Sequence, residues 1–240
     1  MNKAERSMSN NWVHYWKNQN IFREKNFKKS MEYFINNSKR ILNYNQNDVV
    51  LDIGSGPCYL AYCLKDKVSE IHCAEISEQL LDRGKSLLKN ATNVYFHHFD
   101  DDYTNFTFFK KEKFSIIICK SVIAYYDSLK EVESLIENVR RIAKPGARFL
   151  ITDIPFIGSF VSDITGIIKG GIKAKLFVES IKFFYRAISS EYYKVRSSKG
   201  ILTVTHEQLT KIILEHNLYA EILEDNLTYN FNRKHLIIYF

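Results

Sequence analysis

Proline and glycine are scarce in this chain: three Pro and nine Gly in 240 residues, with no Pro/Gly-rich tract and no internal repeat. That excludes a flexible linker between modules and a low-complexity tail. The length then fits one large α/β domain, and a single domain over residues 1–240 is expected. Cysteine is nearly as rare. Cys58, Cys63, Cys73 and Cys119 show neither CxxC nor Cys/His spacing, which excludes a disulfide frame and a zinc site. The seven His show no ligand spacing either, so no metal is expected. No apolar run approaches the ~18–20 residues of a membrane span. The opening MNKAERSMSNNW has no apolar core of the kind a signal peptide carries. Reduced, buried thiols without an export signal make the cytoplasm the expected location.

What is present is a localised positive charge. The net charge is +7. Residues 1–30 hold seven Lys/Arg against two acids, and residues 156–200 hold eight against three, so the remainder is slightly acidic. Two basic segments can attract an anionic small molecule, a nucleic acid or a membrane surface, or form a solvated face.

From residue 47 strands and helices alternate. Strands are predicted at Val49–Ile53, Ile71–Glu75, Val94–His98, Phe114–Cys119 and Ala147–Asp153, with helices at Tyr59–Lys65 and from Ser77 to about Leu88. Ser128 and Glu131 form the pattern of a capping box before Val132, Leu135, Ile136, Val139 and Ile142, which recur at helical spacing up to a turn at Lys144-Pro145-Gly146. Thr205 and Gln208 repeat that cap before HEQLTKIILEHN, and Tyr219–Leu223 and His235–Phe240 read as closing strands. Between them, 156–200 reads as two helices, near Ser159–Thr165 and Lys173–Ile188, broken at Gly166, Gly170 and Gly171. Such alternation means βαβ crossovers and a parallel sheet covered on both faces.

Two of the few glycines stand one residue apart in VVLDIGSGPCYL, directly after the first strand. There a glycine turn lets the backbone approach a ligand and aims amide N–H groups at it. The sixth position of a G-x-G-x-x-G fingerprint is Tyr59, and no Gly-Lys-Ser/Thr follows, so neither a dinucleotide loop nor a P-loop fits. The acid Asp52 ahead of Gly54 and Gly56 suits a cationic ammonium better than a pyrophosphate.

With Glu75 about 20 residues on, Asp100 in VYFHHFDDD and Lys120-Ser121 ending FSIIICKSVIAYY, the sequence resembles the class I S-adenosylmethionine (SAM)-dependent methyltransferases over roughly Val49–Phe240. The resemblance implies a doubly wound, seven-stranded, mostly parallel sheet with an antiparallel last strand and a helical lid inserted between strands 5 and 6, at 156–200. It implies SAM as cofactor and S-adenosylhomocysteine as product. Asp52, Gly54, Ser55 and Gly56 would wrap the amino-acid end, and Glu75, followed by Ile76, would take the ribose hydroxyls. Asp100, or Asp101 one residue on, would bind the adenine amine, and Lys120 would lie under the cofactor. The family's usual third glycine is Cys58 here. The N-terminal helical segment 1–46 resembles a helix folded over the cofactor, with Trp12, Tyr15 and Trp16 on one face and Tyr15 able to reach the cofactor or the acceptor.

The run Lys120–Tyr125 lacks the Asn/Asp-Pro-Pro-aromatic signature of enzymes that methylate nucleic-acid bases, which argues against a nucleic-acid partner and for a small-molecule acceptor methylated on O or N. The aromatics of 156–200 could stack on a ring-bearing or apolar acceptor, with nearby Lys/Arg meeting a carboxylate or phosphate. Candidates for the base are Asp153, His14 and Tyr125. Two other readings stand beside this one: a tRNA or rRNA methyltransferase using the basic segments, and a non-catalytic SAM-binding protein or one touching a membrane surface through residues 160–185.

Overall fold

A computed structural model describes residues 11–18, 24–99, 103–156, 160–173 and 191–240. One seven-stranded sheet runs through it in the order β3-β2-β1-β4-β5-β7-β6. Strands β1 (Val49–Ile53), β2 (Glu70–Glu75), β3 (Val94–His98), β4 (Phe114–Lys120) and β5 (Ala143–Pro155) are mutually parallel. The last two, β6 (Tyr219–Leu223) and β7 (Arg233–Tyr239), form an antiparallel hairpin, and β7 pairs antiparallel with β5. This is the mostly parallel, doubly wound sheet expected from the sequence.

The central strands are almost continuously apolar because they are covered on both faces. On one face Val50, Ile116, Ile118, Leu150 and Ile237 pack with residues of α2 (Glu24–Leu42), α3 (Tyr59–Leu64) and α4 (Glu78–Leu87). On the other, Leu51, Ile53, Ile117, Phe149 and Ile238 meet α5 (Leu129–Ile142) and α8 (His206–Glu215). The helices α1 (Asn11–Lys17), α6 (Phe160–Lys173) and α7 (Glu191–Lys199) contribute no described residue to either of these two clusters. In α5 the five predicted apolar residues are all buried, each contributing roughly 1.5–3 kcal/mol by leaving water. No described helix is long and apolar enough to cross a membrane.

Three local expectations need correction. Lys144-Pro145-Gly146 does not precede the fifth strand but lies inside it. Ala143 already pairs with Phe114, and the register then shifts before Ile116 meets Arg148, so the Pro-Gly pair forms a bulge with Gly146 at φ +78°. Gly166, Gly170 and Gly171 do not break α6. Gly166 and Gly170 share one face, and a Cβ on Gly170 would sit 1.9 Å from the Tyr229 carbonyl oxygen. They are glycine because the 229–232 chain presses against them. The cap of α5 is half built: Ser128 makes no side-chain bond, while Glu131 accepts from the Asp127 N–H (2.8 Å) and the Tyr103 hydroxyl (3.0 Å). The Thr205/Gln208 capping box is complete. Of the expected helix Lys173–Ile188, Lys173 closes α6 and 174–188 lies outside the described residues, as do 157–159.

Candidate active site

The glycine turn sits at the carboxyl end of β1. Gly54 (φ +68°) and Gly56 (φ +53°) both occupy the left-handed region, and the Gly54 and Ser55 N–H groups both donate to the Ala74 carbonyl, at 2.8 and 3.1 Å. A Cβ on Gly54 would come within 2.4 Å of Val122 Cγ2, whereas at Gly56 it would meet nothing within 4 Å. Gly54 is therefore fixed by contact with the loop after β4, and Gly56 faces open space where a ligand fits.

Glu75 ties the turn to β2. Its Oε2 accepts from Gly56 N–H (2.7 Å), and its Oε1 accepts from the N–H groups of Ile76 (2.9 Å) and Ser77 (3.0 Å). Burial still holds its carboxyl above the usual value against those three amides. Cys58, at the family's third glycine, adopts φ 59° despite its Cβ. Gly84 of α4 makes room for it, since a Cβ there would lie 2.4 Å from the Cys58 sulfur. The glycine has in effect moved to the facing helix. All four cysteines are free thiols.

Asp52 is 4 % exposed and, among the described residues, accepts no hydrogen bond. Burial, and next the neighbouring Glu75, push its carboxyl up to about 7, partly opposed by Lys120. A buried carboxylate without a donor beside an open glycine turn fits a ligand that brings its own ammonium group.

At the neighbouring strand ends Ser121 (φ 60°) and Asp153 (φ 61°) are both left-handed without being glycine, a strain of order 1–3 kcal/mol each that persists only where surroundings hold it. Asp153 receives the Ser121 hydroxyl on Oδ2 and the Thr228 hydroxyl on Oδ1, with Lys120 Nζ 3.6 Å from Oδ2. Burial raises its carboxyl, but Lys120 and these hydroxyls prevail and hold it below the ordinary value. His235 Nδ1 accepts the Asp153 N–H at 3.3 Å, and burial keeps this imidazole neutral, down to about 4.

A second buried cluster adjoins the first. Asp163 of α6 lies between two guanidinium groups, Arg196 of α7 at 2.5 Å and Arg233 of β7 at 2.7 Å, and accepts from Asn230 at 2.9 Å. Arg233 also donates to the Asp153 carbonyl at 3.3 Å. Above them five rings meet. Tyr15, Trp16, Tyr125 and Tyr192 form a closed circuit with centroids 5.1–6.4 Å apart. Trp12 touches Tyr15, Tyr125 and Tyr192 and donates its Nε1–H to Gly200. Burial pushes the Tyr15 phenol up to about 12 and Tyr125 well above its ordinary value, with Tyr192 adding to both. A cavity of about 250 Å³ opens beside Trp12, bounded by Tyr126, Asp127, Lys199 and Leu202. A larger groove of about 480 Å³ lies among Lys130, Glu133, Glu137 and His216, on the face of α5 opposite its packed side.

The structure thus brings Asp52, Gly54, Ser55, Gly56, Glu75, Ile76 and Lys120 to one end of the sheet, with Asp153, Tyr125 and Tyr15 linked to them through side-chain contacts. His14 is exposed on α1, beside Asn18. Asp100 and Asp101 lie outside the described residues. Sequence reading did not single out Thr228, Arg233, His235 or Asp163 as site residues, and it reached Arg196 only as one of the Lys/Arg of 156–200. Each comes from a segment with no local motif.

The fold and this turn define a Rossmann-type sheet with a ligand turn after its first strand, and the family comparison gives the class. Residues 44–235 match the family model described as a methyltransferase domain, and the chain belongs to that family; SAM is its methyl donor. Among solved structures, a SAM-dependent methyltransferase from Aquifex aeolicus is similar at 13 % identity and TM-score 0.56, over 91 % of this chain and 99 % of that one. A protein from Leishmania major, also a SAM-dependent methyltransferase, reaches TM-score 0.61 at 9 % identity, over 95 % and 80 % of the two chains. The YcgJ protein of Bacillus subtilis gives 0.57 at 16 % identity, over 80 % and 70 %. At such identities the likeness is one of fold. No curated protein sequence matches the chain.

Proposed function

We propose that this methyltransferase acts on an oxygen or nitrogen atom of a small molecule, held at the ends of β4 and β5 beside α1 and α7. The observation that carries the reading is the ring circuit. It joins α1, the loop after β4 and α7 in one aromatic cluster, and such an apolar wall suits a compact acceptor better than a duplex or a folded RNA.

When bound, SAM supplies a methyl group already activated by its sulfonium. Asp52 would pair with the ammonium of the amino-acid end and Lys120 with its carboxylate, a matched set of opposite charges. The open face of Gly56 admits that end of the ligand. Glu75 holds the turn through three amides and retains lone-pair capacity for a ribose hydroxyl. Asp100 or Asp101 would meet the adenine amine. The chain aligns the groups and excludes water.

Among the described residues no ready base stands in the site. Asp153, held ionised by Lys120 and two hydroxyls, serves to fix Lys120 and Ser121. Tyr125 stays protonated and acts as a donor. His14 faces solvent. An acceptor atom that is ionised or carries a free lone pair at neutral pH meets this site best.

Calorimetric titration with S-adenosylhomocysteine, then a product-release assay over small-molecule acceptors, tests the proposal. Micromolar binding and turnover with a small acceptor are expected. Absence of binding overturns the assignment of the turn, and turnover only with tRNA or rRNA overturns the small acceptor.

A further inference from the structure

We propose that the outward face of α6 docks on an anionic phospholipid surface. This contact goes beyond the small-molecule reading above and does not depend on it.

The helix is turned inside out. Asp163, Gly166 and Gly170 share its packed side, all three buried. A Cβ on Gly166 would lie 2.0 Å from Asn230 Oδ1, Gly170 meets the Tyr229 carbonyl, and Asp163 is held by Arg196 and Arg233. The aliphatic residues stand on the other side. At about 3.6 residues per turn, Val161, Ile164, Ile168 and Ile172 form one stripe opposite those three. Val161 and Ile172 are 69 % and 59 % exposed, with Ile164 and Ile168 half-buried between them. A surface helix ordinarily buries its apolar stripe and shows polar residues to water. Here the small and polar residues face the protein, and branched aliphatic side chains point outward along about 16 Å of helix. A continuous apolar stripe of this kind marks contact with a further surface.

Charge selects which surface. Lys169 is exposed and flanks the stripe, and Lys173 closes the helix. The helix's one acid, Asp163, is neutralised on the packed side. Residues 156–200 carry eight Lys/Arg against Asp163, Glu179 and Glu191.

The fold also brings the other basic segment to this place. Tyr229, whose carbonyl presses on Gly170, donates its hydroxyl to the Lys29 carbonyl of α2 at 3.4 Å and packs its ring on Tyr33, centroids 4.5 Å apart. One tyrosine therefore spans from α6 to the end of the basic segment 1–30, where Lys28 is exposed and Glu32 is the exposed acid beside it. Aliphatic side chains that enter the boundary of the acyl chains, with lysines reaching the phosphates, are the recognition such a surface requires. A second copy of the chain fits less well. Two stripes face to face would set Lys169 near its own counterpart and bring together two chains of net charge +7.

The experiment sediments the full chain with vesicles of phosphatidylcholine and phosphatidylglycerol in equal parts, and with vesicles of phosphatidylcholine alone. Binding to the mixed vesicles should be about tenfold tighter or more, and should weaken about tenfold or more in the double variant Val161→Gln/Ile172→Gln. Lys169→Gln should weaken it about fivefold. Urea unfolding of these variants should match the native protein, because the substituted side chains are exposed, and this separates lost docking from misfolding. Equal binding to phosphatidylcholine alone, or unchanged binding of the double variant, overturns the proposal. So does a native dimer in sedimentation equilibrium that the double variant dissociates, which gives the stripe to a second copy. Absence of both vesicle binding and a dimer also overturns it and leaves the chain's own residues 174–190 as the cover.

Discussion

The two sides of the site are built differently. The proposed cofactor side is a turn tied down from nearby: N–H groups of Gly54, Ser55, Gly56, Ile76 and Ser77 donate to the Ala74 carbonyl or the Glu75 carboxylate, no more than about 20 residues away in sequence. The acceptor side is made of side chains brought from far along the chain. Asp153 meets Thr228, Asp163 meets Arg233, and Trp12 meets Gly200, at separations of 75, 70 and 188 residues. A turn fixed by such short-range bonds is set by a few neighbouring residues. A ligand particular to one member needs side chains, and these can change without disturbing the turn.

The contrast breaks most visibly on the acceptor side. Asp153→Ala removes the partner of Lys120 and of two hydroxyls together, and leaving that buried cation unpaired should lower stability by about 3–5 kcal/mol in urea unfolding. Asp153→Asn, which keeps the shape and loses the charge, should lose less. On the cofactor side Gly54→Ala meets both a clash with Val122 and a left-handed backbone. A loss of about 2 kcal/mol is expected, with S-adenosylhomocysteine binding undetectable by calorimetry.

Asp52→Asn should separate stability from function. Its carboxyl titrates near 7 in the fold against 3.8 unfolded, so as pH rises from about 4 to 7 the unfolded chain ionises while the fold resists, and stability falls over that window. The variant should therefore be more stable than the native protein at pH 8, yet bind S-adenosylhomocysteine about 10–100-fold more weakly, as expected for a lost charged hydrogen bond. Because the bound ammonium favours the ionised form, native affinity should fall as pH drops below about 7, and Asp52→Asn should lack that slope. Equal stability and affinity in the two proteins would remove Asp52 from the cofactor site.

Smaller effects sharpen the picture. Gly84→Ala alone should cost about 1–3 kcal/mol by pressing on the Cys58 sulfur, and most of that should return in the double variant with Cys58→Gly. A double-mutant cycle measures the coupling. Thr205→Ala, remote from both sides, should cost about 1 kcal/mol through its lost cap and leave S-adenosylhomocysteine affinity unchanged.

What the sequence determined by itself is the alternation of strands and helices, the turn at Gly54–Gly56 and the acids that follow it. These are set by periodicity within a strand or helix and by conformations that only a few residue types adopt, and both are local. Where local signals misled, a distant contact had overruled them. The glycines of α6 stay helical because the 229–232 chain lies against them, and Pro145-Gly146 enters a strand because β4 pairs across it. The acceptor side, with Arg233, Thr228, His235 and Asp163 around Lys120 and five rings above, was decided only by tertiary structure. Burial gives these side chains their charge states and partners, and no spacing along the chain encodes which of them will meet.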